Sequence, residues 1–114
     1  MTVEPRQDDD ETGSWRTHTL RYNFSLFPDA REQKYLLSYH YHPGVGVDWP
    51  HVHVSGTASW LPAGLRKGHL ASGRMTIESF VYFLIEEMKV APKRKTWKRD
   101  LRTTLDAFQA RRTW

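Results

Sequence analysis

From Trp15 onward, apolar and polar residues alternate along the chain. His18, Leu20, Tyr22, Phe24 and Leu26 fall on one side of a two-residue repeat, and Thr17, Thr19, Arg21, Asn23 and Ser25 on the other. That is the pattern of a half-buried strand. Residues 27–33 carry Pro28 and Asp29, which favour a turn because proline presets its backbone angle and aspartate caps turns. A second alternating run covers 34–42, with Tyr35, Leu37, Tyr39 and Tyr41 facing one way and Leu36, Ser38, His40 and His42 the other. A third spans 51–60, where Val52 and Val54 oppose His51 and His53. Three strands on short connections predict an antiparallel meander with one apolar and one polar face.

The period then changes. Residues 61–73 hold Pro62, Gly64, Gly68 and Gly73 and read as loop. Behind Thr76 as N-cap, Ile77, Phe80, Val81, Leu84, Ile85 and Met88 recur at helical spacing, which predicts an amphipathic helix of about 13 residues. Glu78 in its first turn and Lys89 in its last complement the helix dipole, and Pro92 is expected to stop it. Thr96 is placed to cap a second helix reaching Ala110, with Trp97, Leu101, Leu105 and Phe108 inward and Lys98, Arg99 and Arg102 toward solvent. The expected order is βββαα: an α+β fold in which a three-stranded antiparallel meander packs against two C-terminal helices.

Composition narrows the class. A chain of 114 residues suits one domain, expected over 15–114, with residues 1–14 a polar, acidic, disordered tail. The absence of cysteine excludes a disulfide framework and thiolate metal ligands. No apolar run of about 18 residues and no charged-then-apolar leader stand in the sequence, so neither a membrane span nor a secretion signal is expected, and a cytoplasmic location is. The net charge of +4 is unevenly spread. Residues 1–15 set Arg6 against five acids, a net of −4, and residues 89–114 set nine bases against two acids, a net of +7. A basic end favours phosphate-bearing or acidic partners. Its members are Lys93, Arg94 and Lys95 in a linker, then Lys98, Arg99, Arg102, Arg111 and Arg112.

The candidate chemistry lies on the polar face. Four of six histidines form two His-x-His pairs, His40 with His42 and His51 with His53, joined by the turn-rich residues 43–50. Strand alternation puts both members of a pair on one face, so neighbouring strands would bring all four together. Two uses fit. The imidazoles could bind zinc or another divalent ion and leave a position open for water. Alternatively, one could act as general base and another as general acid on a phosphodiester, with Arg21 or Arg74 stabilising phosphoryl charge. His69 is a candidate fifth member, while His18, on the apolar side, reads as a core histidine. Ser55 beside His53 has no acid partner in view, and Asp48 is the only nearby carboxylate. Phosphate-loop, dinucleotide and His-Glu-x-x-His motifs are all absent.

The layout over residues 37–85 also resembles a known type. A tyrosine-rich strand ending in histidine, then Pro50-His51-Val52-His53-Val54, a loop, and a helix opening Met75-Thr76-Ile77-Glu78-Ser79-Phe80 is similar to small α+β proteins of bacterial toxin–antitoxin loci, of the TumE-like toxin type. The resemblance implies action on RNA, with His42, His51 and His53 as the positions carried over and an antitoxin or target as protein partner. The expected function is a small nucleic-acid-binding protein, a toxin-like ribonuclease that holds RNA or DNA phosphate through its basic end, where Trp97 and Trp114 could stack on bases. A non-enzymatic interaction or inhibitory factor from a mobile element or phage is the alternative, and a structural metal-binding module a third.

Overall fold

The computed structural model describes residues 1–7, 15–55 and 61–113 and is α+β. Half of the predicted tail (8–14), the end of the predicted third strand (56–60) and Trp114 lie outside the described residues. The three alternating runs are strands: β2 at Trp15–Leu26, β3 at Leu37–Tyr41 and β4 at His51–Val54. They form the expected meander, with β2 antiparallel to β3 and β3 antiparallel to β4.

The sheet is larger than predicted. With β1 at Thr2–Gln7, β5 at Leu70–Ala71 and β6 at Arg112–Thr113, its order is β1-β2-β3-β4-β5, with β6 also on β2. Strand β1, Thr2–Gln7, lies within the stretch expected to be a tail. Its sequence has no clean apolar alternation, and Pro5 is tolerable because β1 stands at the end of the strand order, where every other N–H position faces away from the neighbouring strand. Residues 61–73, expected to be loop, contain helix α1 at Ala63–Lys67 and strand β5 at Leu70–Ala71. Pro62 is the N-cap of α1 and Gly68 its C-cap, so the residues that read as breakers are its boundaries. Strand β6, Arg112–Thr113, runs parallel to β2 and pairs Arg112 with Thr17.

By their contacts the described residues form two compact units. The first holds Met1–Thr2 and the described part of Leu20–Arg74. Its apolar face is aromatic: Tyr22 is opposite Tyr41 and Phe24 opposite Tyr39. Tyr22 stacks on Phe24 at 5.1 Å between ring centroids and leans on Tyr41 at 5.7 Å. Tyr22, Phe24 and Tyr41 are buried, which favours this face by about 1.5–3 kcal/mol per large side chain. The predicted turn after β2 is an aspartate turn, with Asp29 Oδ1 accepting from the N–H groups of Arg31 and Glu32.

The second unit holds the described residues of Val3–Thr19 and Met75–Trp114. Helix α2, Ile77–Glu86, starts where predicted, and the Thr76 Oγ1 accepts from the Ser79 N–H at 3.0 Å. Phe80 is its buried residue. The helix stops earlier than Pro92. Lys89 adopts φ +58° and Val90 N–H donates back to Leu84 carbonyl, so Lys89 lies past the helix rather than in its last turn. Helix α3, Trp97–Arg111, contacts α2. Trp97, Leu101, Leu105 and Phe108 are half-buried along it, while Lys98, Arg99 and Arg102 are exposed, as predicted.

Candidate metal centre

Register turns a shared face into a cluster. His40 lies opposite His51, Ser38 opposite His53 and Asn23 opposite His40. All five belong to the face that alternation assigns away from the tyrosines. His40 and His53 rings are 4.8 Å apart between centroids, His51 and His53 4.9 Å, and His40 and His51 5.5 Å. His42 touches only the His40 ring among the other imidazoles, at 5.3 Å. His51 is buried and the other three are half-buried.

His69 completes the group, and the loop prediction hid why. Strand β5 pairs antiparallel with β4, placing Leu70 opposite Val52 and Ala71 opposite His51. The residue before β5 therefore arrives beside His53, and the His69 ring sits 4.5 Å from His53 and 4.9 Å from His51. The signal in the sequence was a two-residue strand, too short to show a period.

His40, His51 and His53 each offer a nitrogen, and these ligand atoms lie within 4.8 Å of one another. Among the described residues this is the one such group of three or more. A tetrahedral ion with bonds of about 2.0–2.1 Å spaces its ligands about 3.4 Å apart. The rings therefore need to draw in by at most about 1.4 Å, the difference between 4.8 and about 3.4 Å, which small side-chain rotations can supply.

Hydrogen bonds orient two of the three. His51 Nδ1 contacts the Trp49 carbonyl at 2.8 Å; a carbonyl only accepts, so Nδ1 carries the proton and Nε2 keeps its lone pair for an ion. His40 Nε2 is 2.7 Å from Ser38 Oγ, and Ser38 Oγ donates to Asn23 Oδ1 at 2.9 Å. With that proton given to Asn23, Ser38 accepts from His40 Nε2–H and leaves Nδ1 free. Ser38 is fully buried and Ser25 Oγ adds a contact to it at 2.6 Å, so the hydroxyl beneath His40 is itself shielded from water.

The cluster disfavours positive charge. Burial pushes the His40 pKa down from 6.5 to about 4, with repulsion from His53, His42, His51 and His69 adding to it. Burial likewise lowers that of His53, with His69 and His51 contributing. Both rings are thus neutral at neutral pH, which suits metal ligation and disfavours the acid–base pairing in which one of them is a cation.

Other predicted participants are elsewhere. Arg74 donates to the Tyr41 hydroxyl at 3.0 Å and lies over its ring, and Tyr41 belongs to the aromatic face. Arg21 shares the side of β2 that carries Asn23, and its Nε donates to Thr2 Oγ1 at 3.1 Å. Asp48 Oδ1 accepts from Gly44 N–H at 2.8 Å and so holds the turn. Ser55 is buried with its N–H on the Leu36 carbonyl. His18 is half-buried on β2.

The basic residues occupy the second unit. Lys93, Arg94, Lys95, Arg99, Arg102 and Arg111 are exposed, and Arg112 is half-buried in β6. Two already have carboxylate partners: Arg94 pairs with Asp100 at 3.3 Å, and Lys98 pairs with Glu86. The hydrogen bond from Lys98 lowers the Glu86 pKa, and the same bond raises that of Lys98. Lys98 and Arg102 border a cleft of about 450 Å³ that also contains Glu78, so its charge is mixed. Trp97 leans on Tyr82 at 5.6 Å and carries the Lys98 ammonium over its ring, the packing contacts expected of an inward-facing residue of α3.

No protein-family model matches the chain. Neither does any curated protein or solved structure. No helix among the described residues is long and apolar enough to cross a membrane.

Proposed function

We propose that this chain is a metal-dependent hydrolase of phosphodiesters in nucleic acid, with His40, His51 and His53 holding a divalent ion of the zinc class. The observation that carries the reading is the convergence of three imidazole nitrogens within 4.8 Å, two of the rings oriented by hydrogen bonds. Three protein ligands leave a fourth position for water, the arrangement of catalytic rather than structural zinc sites. An ion held by His40, His51 and His53 would lower the pKa of a coordinated water to about 7. Hydrolysis by that water would form a bond from its oxygen to phosphorus and break the one to the leaving sugar oxygen, which would take up a proton in exchange for the one the water gives up. His69, exposed beside His53, is the side chain next to the ligand set that would carry this proton. Phosphate affinity comes from the basic residues of 93–112 through counterion release. The resemblance of residues 37–85 to TumE-like toxins favours RNA as substrate and an antitoxin as protein partner.

The test is cleavage of RNA and of single-stranded DNA by protein loaded with zinc or manganese, beside chelated protein and a His53→Ala variant whose fold is checked by circular dichroism. Chelation and the variant should each lower the rate about 100-fold or more. Cleavage that survives both sinks the metal reading, and a protein that takes up no metal sinks it sooner.

A protein-binding module is the second reading, favoured by the exposed apolar side chains Ile77, Tyr82, Met88 and Val90 of the second unit, each 41–46% exposed. Charge reversal of Arg99 and Arg102 that abolishes capture of a partner, with His53→Ala silent, would favour it.

A further inference from the structure

We propose that Trp49 is a platform on which a nucleobase stacks beside the metal centre, so that the substrate is a single strand. This inference rests on the hydrolytic reading above and names its substrate class. Trp49 is 44% exposed, and its ring meets that of His51 at 5.5 Å with the planes 76° apart. A tryptophan set nearly perpendicular to a metal ligand and partly open to solvent stands at the rim of the site with ring surface to offer.

The backbone that carries the ring is fixed on both sides. The Trp49 carbonyl accepts the His51 Nδ1–H at 2.8 Å, and the next carbonyl, that of Pro50, accepts from Ser72 N–H at 2.9 Å. On the other side the turn is closed by Asp48 Oδ1 on Gly44 N–H, with Gly44 and Gly46 at φ +81° and +68°, a conformation that glycine adopts without a Cβ clash. The backbone under the platform is therefore fixed before anything binds, and stacking has mainly the indole's own side-chain freedom to lose. Stacking on an aromatic ring accepts any base, whereas the bases of a duplex are already stacked on each other and unavailable. A base on Trp49 would place its own backbone against the imidazoles next door.

The experiment compares three substrates at equal metal loading: a short single-stranded oligonucleotide, the same strand built of abasic sugars, and the duplex. All carry the same phosphates on the cut strand. Wild-type kcat/KM should be about 5- to 150-fold higher on the intact strand than on the abasic one, with the duplex poorly cut. Trp49→Ala should close that gap and Trp49→Phe keep most of it. Equal rates on intact and abasic strands in the wild type, or an undiminished gap in Trp49→Ala, overturn the platform while leaving hydrolysis standing. A metal-loaded wild type that cuts neither strand overturns the hydrolytic reading, and this inference with it.

Discussion

Acidification of the metal-free protein measures how strongly the fold requires neutral imidazoles, and His40 sets the scale. Its pKa is about 4 in the folded protein, against 6.5 for a free side chain. The folded state therefore binds fewer protons than the unfolded chain between these values, and stability rises with pH across that window. Above 6.5 the contribution is fully present, and it is lost as pH falls toward 4. At about pH 5 the linkage relation gives a loss of about 2 kcal/mol relative to about pH 7.5. His40 is only half-buried, so solvent screening reduces this to about 1 kcal/mol. For a chain of this length that is a fall in Tm of about 4 °C. Urea or thermal unfolding at the two pH values, with chelator present, reads it directly. His40→Gln keeps a polar side chain beside Ser38 but cannot titrate, so its loss between the same pH values should be smaller by that amount. His53, lowered in the same direction, leaves a residual. A wild type and His40→Gln with superimposable pH dependence would refute the packed, neutral cluster.

Three further outcomes follow from the geometry. Zinc at about a hundred times its Kd should stabilise the wild type by about 2.7 kcal/mol in calorimetry, and chelator or His51→Ala should remove the gain; a gain retained in His51→Ala would place the ion elsewhere. Phe80→Ala, at the buried residue of α2, should cost about 3–5 kcal/mol in denaturant unfolding. Tyr82→Ala, 46% exposed, should cost well under that, and equal losses would mean Phe80 is not the core of its unit. Arg99→Glu with Arg102→Glu should weaken single-strand binding and lower the slope of log affinity against log salt by about 1.4, measured by fluorescence anisotropy, and an unchanged slope would remove these residues from the interface.

How much of the site was legible in the sequence follows from the range over which each force acts. Alternation is local, so His40 and His42, and His51 and His53, share a face as soon as the residues are strands. The same period separates Tyr22, Phe24 and Tyr41 into a core, and the helical period marks α2 and its Thr76 cap. The basic face of α3 was legible for the same reason. Its partners were not, since the pairing of Lys98 with Glu86 joins two helices.

What only the tertiary structure decided is register and pairing. Shifting β4 by one residue against β3 would have sent His51 and His53 to the other face; the observed pairing sets His40 opposite His51 and makes three nitrogens one ligand set. Strands β1, β5 and β6 are short or irregular in pattern and exist because a neighbour offers backbone partners. His69 reaches the cluster through one of them. The depressed pKa of His40 and the carbonyl of Trp49 against His51 likewise depend on what the fold packs together. Periodicity tells which way a side chain faces; desolvation, repulsion and ligand spacing depend on what stands across from it, and that is set by contacts distant along the chain.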